Sequence, residues 1–319
     1  MSSFLVTGGA GFIGSALVRE LLQRGERVRV VDNFLTGHRR NLTDVSARIE
    51  LFEADIRDLE QLRPAFVGVD YVLHHAAIAS VPRSIEDPIS TDRTNVQGTL
   101  NVLLAARDAG VKRVVYAASS SAYGNAPSLP QTETMPANPI SPYAVSKFAG
   151  ELYAKVFVEV YGLETVRVRY FNVFGPRQDP SSPYSGVLSL FIAALLRGTP
   201  PTIYGSGEQS RDFTFVDNAV EATLLACTAP GAAGKVCNVA TGERYTINQT
   251  IALLRRIIGS DVNPVYAAPR PGDILHSQAD ITLARQLLGY DPKVSFEDGL
   301  ARTVDWYRTS EKLLSSAPR

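Results

Sequence analysis

Cysteine, net charge and long apolar runs are all scarce in this 319-residue sequence. Only Cys227 and Cys237 occur, with no CxxC pair and no histidine at metal-ligand spacing, which predicts two reduced, buried thiols and no metal site. The 32 basic and 32 acidic side chains balance, so no global charge attracts nucleic acid or an acidic membrane surface. The longest apolar stretch, near residues 187–196, is about half of the ~20 residues that a membrane span needs. We therefore expect no membrane span, and the lack of a basic leader before the first strand adds the expectation of a cytoplasmic location.

Short apolar runs of strand length alternate with helical patterns through the first half of the chain. Apolar runs at 4–6, 27–31 and 166–169 are separated by helical patterns such as 144–161. Strands that alternate with helices are typical of an α/β fold built on a doubly wound parallel sheet. Later in the chain, prolines and glycines interrupt this pattern, which predicts a smaller and less regular second region.

A glycine-rich turn connects the first strand to the first helix. Gly8, Gly11 and Gly14 are spaced as Gly-x-x-Gly-x-x-Gly between these two elements. The first glycine permits a tight turn, the second lets the backbone approach a pyrophosphate, and the third lets helix and strand pack closely. The helix N-terminus behind the turn offers free N–H groups to phosphate oxygens. Because the pattern lies between a strand and a helix, it predicts a dinucleotide site of the Rossmann type.

Asp32 indicates which dinucleotide is bound. It ends the second strand, 18 residues after Gly14, where a carboxylate accepts hydrogen bonds from both ribose hydroxyls and repels a 2′-phosphate. The sequence thus predicts NAD rather than NADP, and we interpret the nearby Arg39 and Arg40 as a solvated basic pair. Positions that follow the third and fourth strands are further candidates for contacts to the dinucleotide: Asp55, Ile56, Ala76 and Ala77.

These patterns divide the chain into two expected domains. Residues 1–175 should form an NAD-binding Rossmann domain, and residues 176–319 should form mainly a smaller, mixed α/β domain for the substrate. Later segments, for example 212–242, are expected to cross back to the first domain, because a strand-like piece occurs at 236–240.

Tyr143 and Lys147 form the candidate catalytic pair. Their four-residue spacing places a phenol and an ammonium one turn apart on the same face of a helix. A neighbouring cation and the positive nicotinamide ring favour the phenolate, which can remove an alcohol proton while hydride leaves the same carbon. The strand at 114–117 leads into three serines, 119–121, whose hydroxyls would lie at the carboxyl edge of the sheet. A serine there can hydrogen-bond the reacting oxygen.

Eight segments between residues 7 and 273 carry a resemblance to a known family: TGGAGFIGS (7–15), Asp32-Asn33, HHAA (74–77), SSSAYG (119–124), YAVSK (143–147), RYFNVFGPRQDP (169–180), GSGEQSRDFTFVDN (205–218) and RPGD (270–273). Together they resemble the extended short-chain dehydrogenase/reductase family over nearly the whole chain. Within that family the sequence is similar above all to nucleotide-sugar 4-epimerases, especially those acting on UDP-N-acetylglucosamine and UDP-N-acetylgalactosamine, or on UDP-glucose. The resemblance implies an NAD cofactor, a UDP-sugar substrate and a homodimer.

The resemblance also assigns roles to the catalytic and cofactor residues. It implies that Ser119 is the catalytic hydroxyl, Tyr143 the base and Lys147 the partner of Tyr143. Besides the glycine turn and Asp32, the implied cofactor contacts include Phe12, Ile13, Asn33, Tyr143, Lys147 and Tyr170.

A further implication of the resemblance is a set of substrate contacts. Asn172 would contact the diphosphate or the sugar, and Asp273 would hold the uridine ribose. Arg211 and Arg270 would bind the diphosphate, since bidentate donors suit phosphate oxygens. The remaining implied contacts carry hydroxyl or amide groups: Ser80, Ser120, Ser121, Gln178 and Ser277.

The reaction implied by the resemblance begins with a 4-keto sugar, after which the members of the family diverge. Dehydratase and decarboxylase relatives resemble one another in carrying an acidic residue after the catalytic hydroxyl. Ser120 and Ser121 stand at those positions here and cannot act as carboxylate bases, so the sequence favours epimerisation at C4. In that reaction hydride moves to NAD, the keto sugar turns about its diphosphate link, and hydride returns to the opposite face.

Other functions stay open from the sequence. A UDP-uronate or UDP-pentose epimerase, or a nucleotide-sugar reductase, would use the same fold. Asp179 disfavours a uronate substrate, because its charge would repel a sugar carboxylate unless the side chain points away. A non-catalytic NAD-binding scaffold is an alternative from another class, and it is disfavoured because Tyr143 and Lys147 are both present.

Ser277 bears on the size of the sugar. It aligns with a position where 4-epimerases carry either a bulky or a small residue beside the turning sugar. A small side chain leaves room for an N-acetyl group, so acetylated and plain UDP-hexoses are both expected substrates. Ala79 occupies a neighbouring small-residue position, where its β-carbon would narrow the pocket slightly.

An apolar stripe on the helix of Tyr143 bears on assembly. Phe148, Leu152 and Val156 follow one another at four-residue spacing. The stripe would suit a helix-paired homodimer, which the resemblance implies. Core packing within one protomer would explain it equally well.

Overall fold

A computed structural model of the protein describes residues 1–179, 186–269 and 274–315, with side chains up to residue 310. The strands of these residues are β1 (Ser3–Thr7), β2 (Arg27–Asp32), β3 (Glu50–Glu53), β4 (Tyr71–His74), β5 (Arg113–Ser119), β6 (Glu164–Tyr170), β7 (Val173–Phe174), β8 (Thr202–Tyr204), β9 (Ser210–Arg211), β10 (Thr214–Phe215), β11 (Val236–Val239), β12 (Tyr245–Thr246) and β13 (Val265–Ala267). One seven-stranded sheet, parallel throughout, has the order β11-β6-β5-β4-β1-β2-β3. The strand order runs in opposite directions on the two sides of β1, so the predicted α/β fold with a doubly wound parallel sheet is confirmed.

Helices connect these strands. They are α1 (Phe12–Gln23), α2 (Leu59–Phe66), α3 (Val81–Glu86), α4 (Pro88–Asp92), α5 (Gly98–Asp108), α6 (Pro142–Tyr161), α7 (Val187–Leu196), α8 (Val216–Thr228), α9 (Ile247–Ile258), α10 (Thr282–Leu288) and α11 (Phe296–Ser315). A π-helical turn, Arg93–Gln97, joins α4 to α5. Within the described part of the chain, no helix combines the length and the apolar composition that crossing a membrane requires.

The central sheet is buried on both faces. Phe4 and Val6 of β1 pack on one face in a core that also contains Leu17 of α1. Leu5, between them in sequence, packs on the other face in a core that contains Val102 of α5. Because successive side chains of a strand point to opposite faces, this burial requires apolar residues at consecutive positions, which explains the short continuous apolar runs.

The second half of the chain forms short strand pairs and helices beside the sheet. β7 pairs with β10 and β8 with β13, both in parallel, whereas β9 and β12 are antiparallel. Phe213 and Phe296 stack with ring centroids 4.9 Å apart in the core of this region. α9 begins with a capping box formed by Thr246 and Gln249 and ends at Gly259, which has φ 75°. After α8, the chain enters β11, which pairs with β6 at the edge of the central sheet.

Candidate active site

The carboxyl ends of β1, β2, β4, β5 and β6 open into a cleft of about 520 Å³. Open α/β sheets bind ligands at this edge, where the strand order reverses. Most of the predicted site residues line the cleft: Gly8, Gly11, Phe12, Ile13, Gly14, Asp32, Asn33, Ile56, Ala76, Ala77, Ser119, Ser120, Ser121, Tyr143, Lys147, Tyr170, Asn172, Gln178, Arg211 and Ser277. The structure thus brings the glycine turn, the serines, the Tyr–Lys pair and the predicted substrate residues together in one place.

Of the other predicted substrate residues, Ser80 is not among those that line the cleft. Arg270 and Asp273 lie outside the described residues. Ser80 precedes α3 and accepts a hydrogen bond from the Arg83 N–H at 3.2 Å. The Ser80 hydroxyl therefore caps a helix, and its role as a substrate contact stays a prediction.

Asp55 is not among the residues that line the cleft, and its role as a cofactor contact stays a prediction. Its carboxylate accepts hydrogen bonds from Arg57 Nη2 at 2.7 Å and from Asn33 Nδ2 at 2.8 Å. The hydrogen bonds from Arg57 lower the pKa of Asp55 to about 2. Asp55 thus shapes the loop after β3, while its neighbour Ile56 provides the cleft wall.

The glycine turn is shaped by approaches that a side chain would block. Gly8 has φ +70°, and a β-carbon there would lie 2.7 Å from the backbone nitrogen of Ala76. A β-carbon at Gly14 would lie 2.1 Å from the Gly8 oxygen. Gly11 precedes α1, whose first turn has neither a side-chain cap nor an acidic residue from the described chain. The N–H groups at the start of α1 are therefore available in the cleft wall, which fits a bound pyrophosphate.

Asp32 is fixed beside this turn by two backbone groups. Its Oδ2 accepts the Ala10 N–H at 2.9 Å, and its Oδ1 accepts the Phe34 N–H at 2.8 Å. Burial raises the pKa of Asp32, and the two hydrogen bonds oppose that rise. The side chain is held at the cleft wall, where carboxylate oxygens suit ribose hydroxyls.

The basic pair after β2 is exposed and ion-paired. The side chains of Arg39 and Arg40 are 61% and 59% exposed. Arg39 pairs with Glu53, and Arg40 lies 3.2 Å from Asp179. His38 Nε2 lies 2.7 Å from the same Asp179 carboxylate. Asp179 is thus engaged by the loop that follows the cofactor strand β2.

The start of α6 places the Tyr–Lys pair. Ser141 accepts the Ala144 N–H at 3.2 Å, and Pro142 occupies the first helical position, so the helix has both a cap and a preset backbone angle. Tyr143 consequently lies in the first turn and Lys147 in the next turn, and both line the cleft.

Ser119 ends β5, and Ser121 orients its hydroxyl. Ser119 Oγ accepts hydrogen bonds from Ser121 Oγ at 2.8 Å and from the Ser121 N–H at 3.2 Å. A hydroxyl has one proton and two lone pairs. Because Ser121 occupies the lone pairs, the Ser119 proton can be donated to Tyr143, with which Ser119 hydrogen-bonds.

Burial is the main influence on the pKa values of Tyr143 and Lys147. It raises the pKa of Tyr143, and the hydrogen bond with Ser119 opposes that rise. Burial also lowers the pKa of Lys147 to about 7, although Glu151 favours the charged form. Lys147 Nζ lies 4.5 Å from the centroid of the Tyr116 ring. The sequence led us to expect that the lysine cation lowers the Tyr143 pKa; in the structure burial of the phenol raises it, and the opposing contribution comes from Ser119.

Asn172, Arg211 and Ser277 line a further part of the cleft wall. Asn172 has φ +35°, an uncommon value for a residue with a side chain. Its Nδ2 donates hydrogen bonds to the backbone oxygen of Asp212 at 2.9 Å and to Ser277 Oγ at 3.3 Å. Arg211 Nη1 donates to the backbone oxygen of Leu275 at 3.1 Å.

The carboxylate of Asp212 joins three loops behind these residues. It accepts hydrogen bonds from the backbone N–H groups of Thr241 and Gly242, both at 3.0 Å, and of Ala279 at 3.1 Å. The Thr241 hydroxyl donates a fourth hydrogen bond at 2.9 Å. Asp212 is completely buried, and burial raises its pKa to about 6. It therefore fixes the position of Arg211, its neighbour in sequence.

Sequence reasoning missed several residues of the cleft wall, namely Leu35, Thr36, Gly37, His75, Thr94 and Gln131. It also missed Asn95, which lies behind the wall and hydrogen-bonds the backbone N–H of Ile78 at 2.8 Å and Ser146 Oγ at 2.9 Å. Asn95 thereby ties the loop after β4 to α6. A buried asparagine inside a helical pattern was the available signal for Asn95, whereas Gln131 lies in a loop without a motif.

A parallel nucleotide-binding sheet with a Ser–Tyr–Lys group at its carboxyl edge defines the class of short-chain dehydrogenases/reductases. The family model described as "NAD dependent epimerase/dehydratase family" matches residues 4–240. The chain belongs to this family. NAD is therefore the cofactor, and the uncapped start of α1 and the placement of Asp32 fit it.

Relatives of this chain act on several nucleotide sugars. A UDP-glucose 4-epimerase of Mycolicibacterium smegmatis is 40% identical over 313 residues, which cover 97% of this chain and 99% of the relative. A UDP-glucuronate 4-epimerase of Thermodesulfobacterium geofontis is 35% identical over 328 residues, which cover 99% of each chain. The solved structure of UDP-N-acetylglucosamine 4-epimerase from Methanobrevibacter ruminantium M1, in complex with UDP-N-acetylmuramic acid, is similar with a TM-score of 0.93 at 39% identity, covering 97% of this chain and 99% of that one.

Proposed function

We propose that this protein catalyses the NAD-dependent 4-epimerisation of a UDP-hexose or UDP-N-acetylhexosamine. The observation that carries the proposal is the composition of the cleft around Tyr143. Ser119 and Lys147 accompany the phenol, and the two residues after Ser119 are the uncharged Ser120 and Ser121. A carboxylate base for eliminating water or removing a carboxyl group is therefore missing at those two positions, while the groups needed to move one hydroxyl proton are present.

The chain's own residues handle the proton of the sugar hydroxyl. Bound NAD supplies reversible hydride transfer at the sugar carbon. Tyr143 Oη accepts the proton of the sugar hydroxyl and later returns it. The Ser119 hydroxyl donates a hydrogen bond to Tyr143 Oη. The Lys147 ammonium favours the phenolate whenever it is charged, since an opposite charge nearby stabilises it. This division of roles needs only groups that line the cleft.

An uncharged sugar suits the part of the cleft that carries uncharged polar side chains. Asn172, Gln178 and Ser277 offer hydroxyl and amide groups there. Among the described residues of the lining, Lys147 and Arg211 are the cations, and we assign Lys147 to Tyr143 and Arg211 to the diphosphate. Asp179 stands next to Gln178, and its carboxylate contacts His38 and Arg40.

Ser277 supports acceptance of an N-acetyl group. It is 5% exposed and lines the cleft with one small hydroxyl, which accepts a hydrogen bond from Asn172. The backbone N–H of Ser277 donates to the Ser210 oxygen at 3.0 Å, so the position of the residue is fixed. UDP-N-acetylglucosamine and UDP-glucose are therefore both proposed as substrates.

A UDP-uronate epimerase is the second candidate, because a UDP-glucuronate 4-epimerase is among the relatives. It would need a cation beside the sugar carboxylate. In the loop after Asn172, where such a cation is expected, the chain has Asp179, which adds a negative charge. We therefore rank the uronate below the uncharged sugars, and we rank a nucleotide-sugar reductase, a UDP-pentose epimerase and an NAD-binding scaffold below both.

NMR of the product pool tests the proposal. The purified protein is incubated with UDP-N-acetylglucosamine, UDP-glucose or UDP-glucuronate, without added NAD. Formation of the C4 epimer of either uncharged sugar supports the proposal, and Tyr143→Phe serves as the inactive control. Epimer from UDP-glucuronate alone would favour the second candidate, and no epimer from any of the three would count against the proposal.

The proposal extends to a homodimer formed through α3, α4 and α6. Leu152 and Val156 of α6 are 47% and 41% exposed, whereas Phe148 is half-buried. Ile85 and Ile89 on α3 and α4 are each 64% exposed, and both helices pack against α6. Core packing within the protomer does not cover this face, and exposed apolar faces of this kind are typical of protein interfaces.

A further inference from the structure

Gln131 lines the cleft although it lies in a loop between β5 and α6. Its backbone N–H donates to the Gln278 oxygen at 2.7 Å, and its backbone oxygen accepts the Asp280 N–H at 2.8 Å. These bonds place Gln131 opposite Ala279, two residues from Ser277. Gln131 and Ser277 both line the cleft.

The carboxamide of Gln131 is buried but incompletely hydrogen-bonded. The residue is 1% exposed, and its Oε1 has no hydrogen-bond partner within the described chain. Buried polar groups in proteins nearly always have such a partner, because an unpaired one forfeits its hydration without compensation. A group of this kind in a cleft wall is explained when a ligand supplies the missing bond.

The neighbouring amide of Asn238 provides a contrast within the same loop contact. Its Oδ1 accepts the Tyr123 hydroxyl at 2.7 Å. Its Nδ2 donates to the backbone oxygens of Gln131 at 2.9 Å and of Asp280 at 3.1 Å. Asn238 is a satisfied structural amide outside the cleft lining, whereas Gln131 is an unsatisfied amide within it.

We infer that Gln131 is a specificity-determining residue that hydrogen-bonds an uncharged polar substituent of the sugar ring, an acetamido or a hydroxyl group. The inference rests on the proposed function, since it needs a sugar in the cleft. A carboxamide carries both a donor and an acceptor, so it can match either substituent. It brings no charge to neutralise a carboxylate, in keeping with an uncharged sugar.

A comparison of the affinities for UDP and for the UDP-sugar isolates the contribution of the contact between Gln131 and the sugar. Titration calorimetry on the NAD-loaded protein compares UDP with UDP-N-acetylglucosamine and UDP-glucose. For Gln131→Leu we expect unchanged affinity for UDP and about two- to tenfold weaker binding of at least one UDP-sugar, the usual range for one hydrogen bond. The isosteric Gln131→Glu keeps an oxygen acceptor at this position, so its affinity for the UDP-sugar should exceed that of Gln131→Leu.

Stability separates this role from a structural one. Gln131→Leu removes an unpaired polar group, so its unfolding temperature should match or exceed that of the wild type. The matched control is Gln278→Leu, because Gln278 Nε2 donates to the Gly242 oxygen at 2.8 Å and the residue does not line the cleft. Gln278→Leu should lower the unfolding temperature and leave the ratio of UDP-sugar to UDP affinity unchanged.

Two results would overturn different parts of the account. If the wild type epimerises the sugar and the ratio of UDP-sugar to UDP affinity in Gln131→Leu equals that of the wild type, the inference about Gln131 is wrong while the proposed function stands. If the wild type forms no epimer from any UDP-sugar, the proposed function fails and the inference fails with it.

Discussion

Ser121 donates two hydrogen bonds to Ser119 Oγ, one from its hydroxyl at 2.8 Å and one from its backbone N–H at 3.2 Å. The bond from the hydroxyl depends on the Ser121 side chain, and the bond from the backbone does not. Because Ser121 occupies the lone pairs of Ser119 Oγ, the single proton of Ser119 is left for donation to Tyr143.

Substitution of these two serines should have graded effects. Ser119→Ala removes the proton that assists Tyr143 and should lower kcat by about 10²-fold, within the usual range for a group that assists proton transfer. Ser121→Ala keeps the backbone hydrogen bond and should lower kcat by only about two- to tenfold. Steady-state rates with UDP-N-acetylglucosamine measure both. Equal losses of kcat in the two variants would contradict the assignment of a direct role to Ser119 and an indirect one to Ser121.

Ser277→Tyr should change sugar preference. A phenol ring in place of a buried hydroxyl fills space in the cleft, so the N-acetylated pair should be disfavoured relative to UDP-glucose and UDP-galactose. The ratio of kcat/KM for the two pairs measures the effect, and Ser277→Ala is the control for loss of the hydroxyl alone. An unchanged ratio of kcat/KM in Ser277→Tyr would contradict the proposal that the small side chain of Ser277 leaves room for the N-acetyl group.

Asp212→Asn should weaken UDP-sugar binding. An asparagine has one oxygen acceptor and one amide donor, so it cannot accept all four hydrogen bonds that the carboxylate accepts. We expect a loss of about 1–3 kcal/mol in the free energy of unfolding, and a KM raised more than kcat is lowered. Asp217→Asn is the control, because the Asp217 side chain is 58% exposed. A kcat loss with unchanged KM would contradict a role in placing Arg211.

Lys147 should give the ligand-free protein a characteristic pH dependence. Burial lowers its pKa to about 7 in the folded state, against about 10.4 in an unfolded chain. Between these values the unfolded chain holds one proton more, so the free energy of unfolding that Lys147 contributes should rise with pH across this window. Urea unfolding of the NAD-free wild type and of Lys147→Met at pH 7 and pH 9 measures the difference. A gap between the two proteins that does not change with pH would contradict the lowered pKa.

A charge on the exposed face of α6 should separate the protomers. Leu152→Glu places a carboxylate in the proposed dimer interface, where burial without a partner is costly. Sedimentation equilibrium should show a dimer for the wild type and a monomer for Leu152→Glu. Val67→Glu is the control on another surface, since Val67 is 67% exposed. A monomeric wild type, or a dimeric Leu152→Glu, would contradict the proposed interface.

Short-range spacing explains what the sequence could predict of the cleft. The distances between Gly8, Gly11 and Gly14, and between Tyr143 and Lys147, are set within one turn or one helix, so the pattern of residues determines the geometry. The parallel sheet followed in the same way from strands that alternate with helices. These features are local, and the fold places them at one edge.

Long-range contacts explain what the sequence could not predict. Gln131 reaches the cleft because its backbone pairs with Gln278 and Asp280. Asp212 is bonded to Ala279, 67 residues away along the chain. Neither relationship leaves a pattern in the sequence around the residue.

Three features that the sequence analysis did not predict have local or environmental causes. Ser80 precedes Val81-Pro82, and a serine followed by a proline at the start of a helix is typical of an N-cap. Asp55 is engaged by its neighbour Arg57. The direction of the Tyr143 pKa depends on the depth of burial, which residue spacing does not reveal.

Turnover by Tyr143→Phe tests the central claim most directly. The variant keeps the ring and removes only the oxygen that we assign as the proton acceptor. Epimerisation of UDP-N-acetylglucosamine and UDP-glucose is followed by NMR, and bound NAD is measured in the same preparation. We predict that NAD content is retained and that kcat falls by at least about 10²-fold. Wild-type turnover by the NAD-loaded Tyr143→Phe protein would contradict the account.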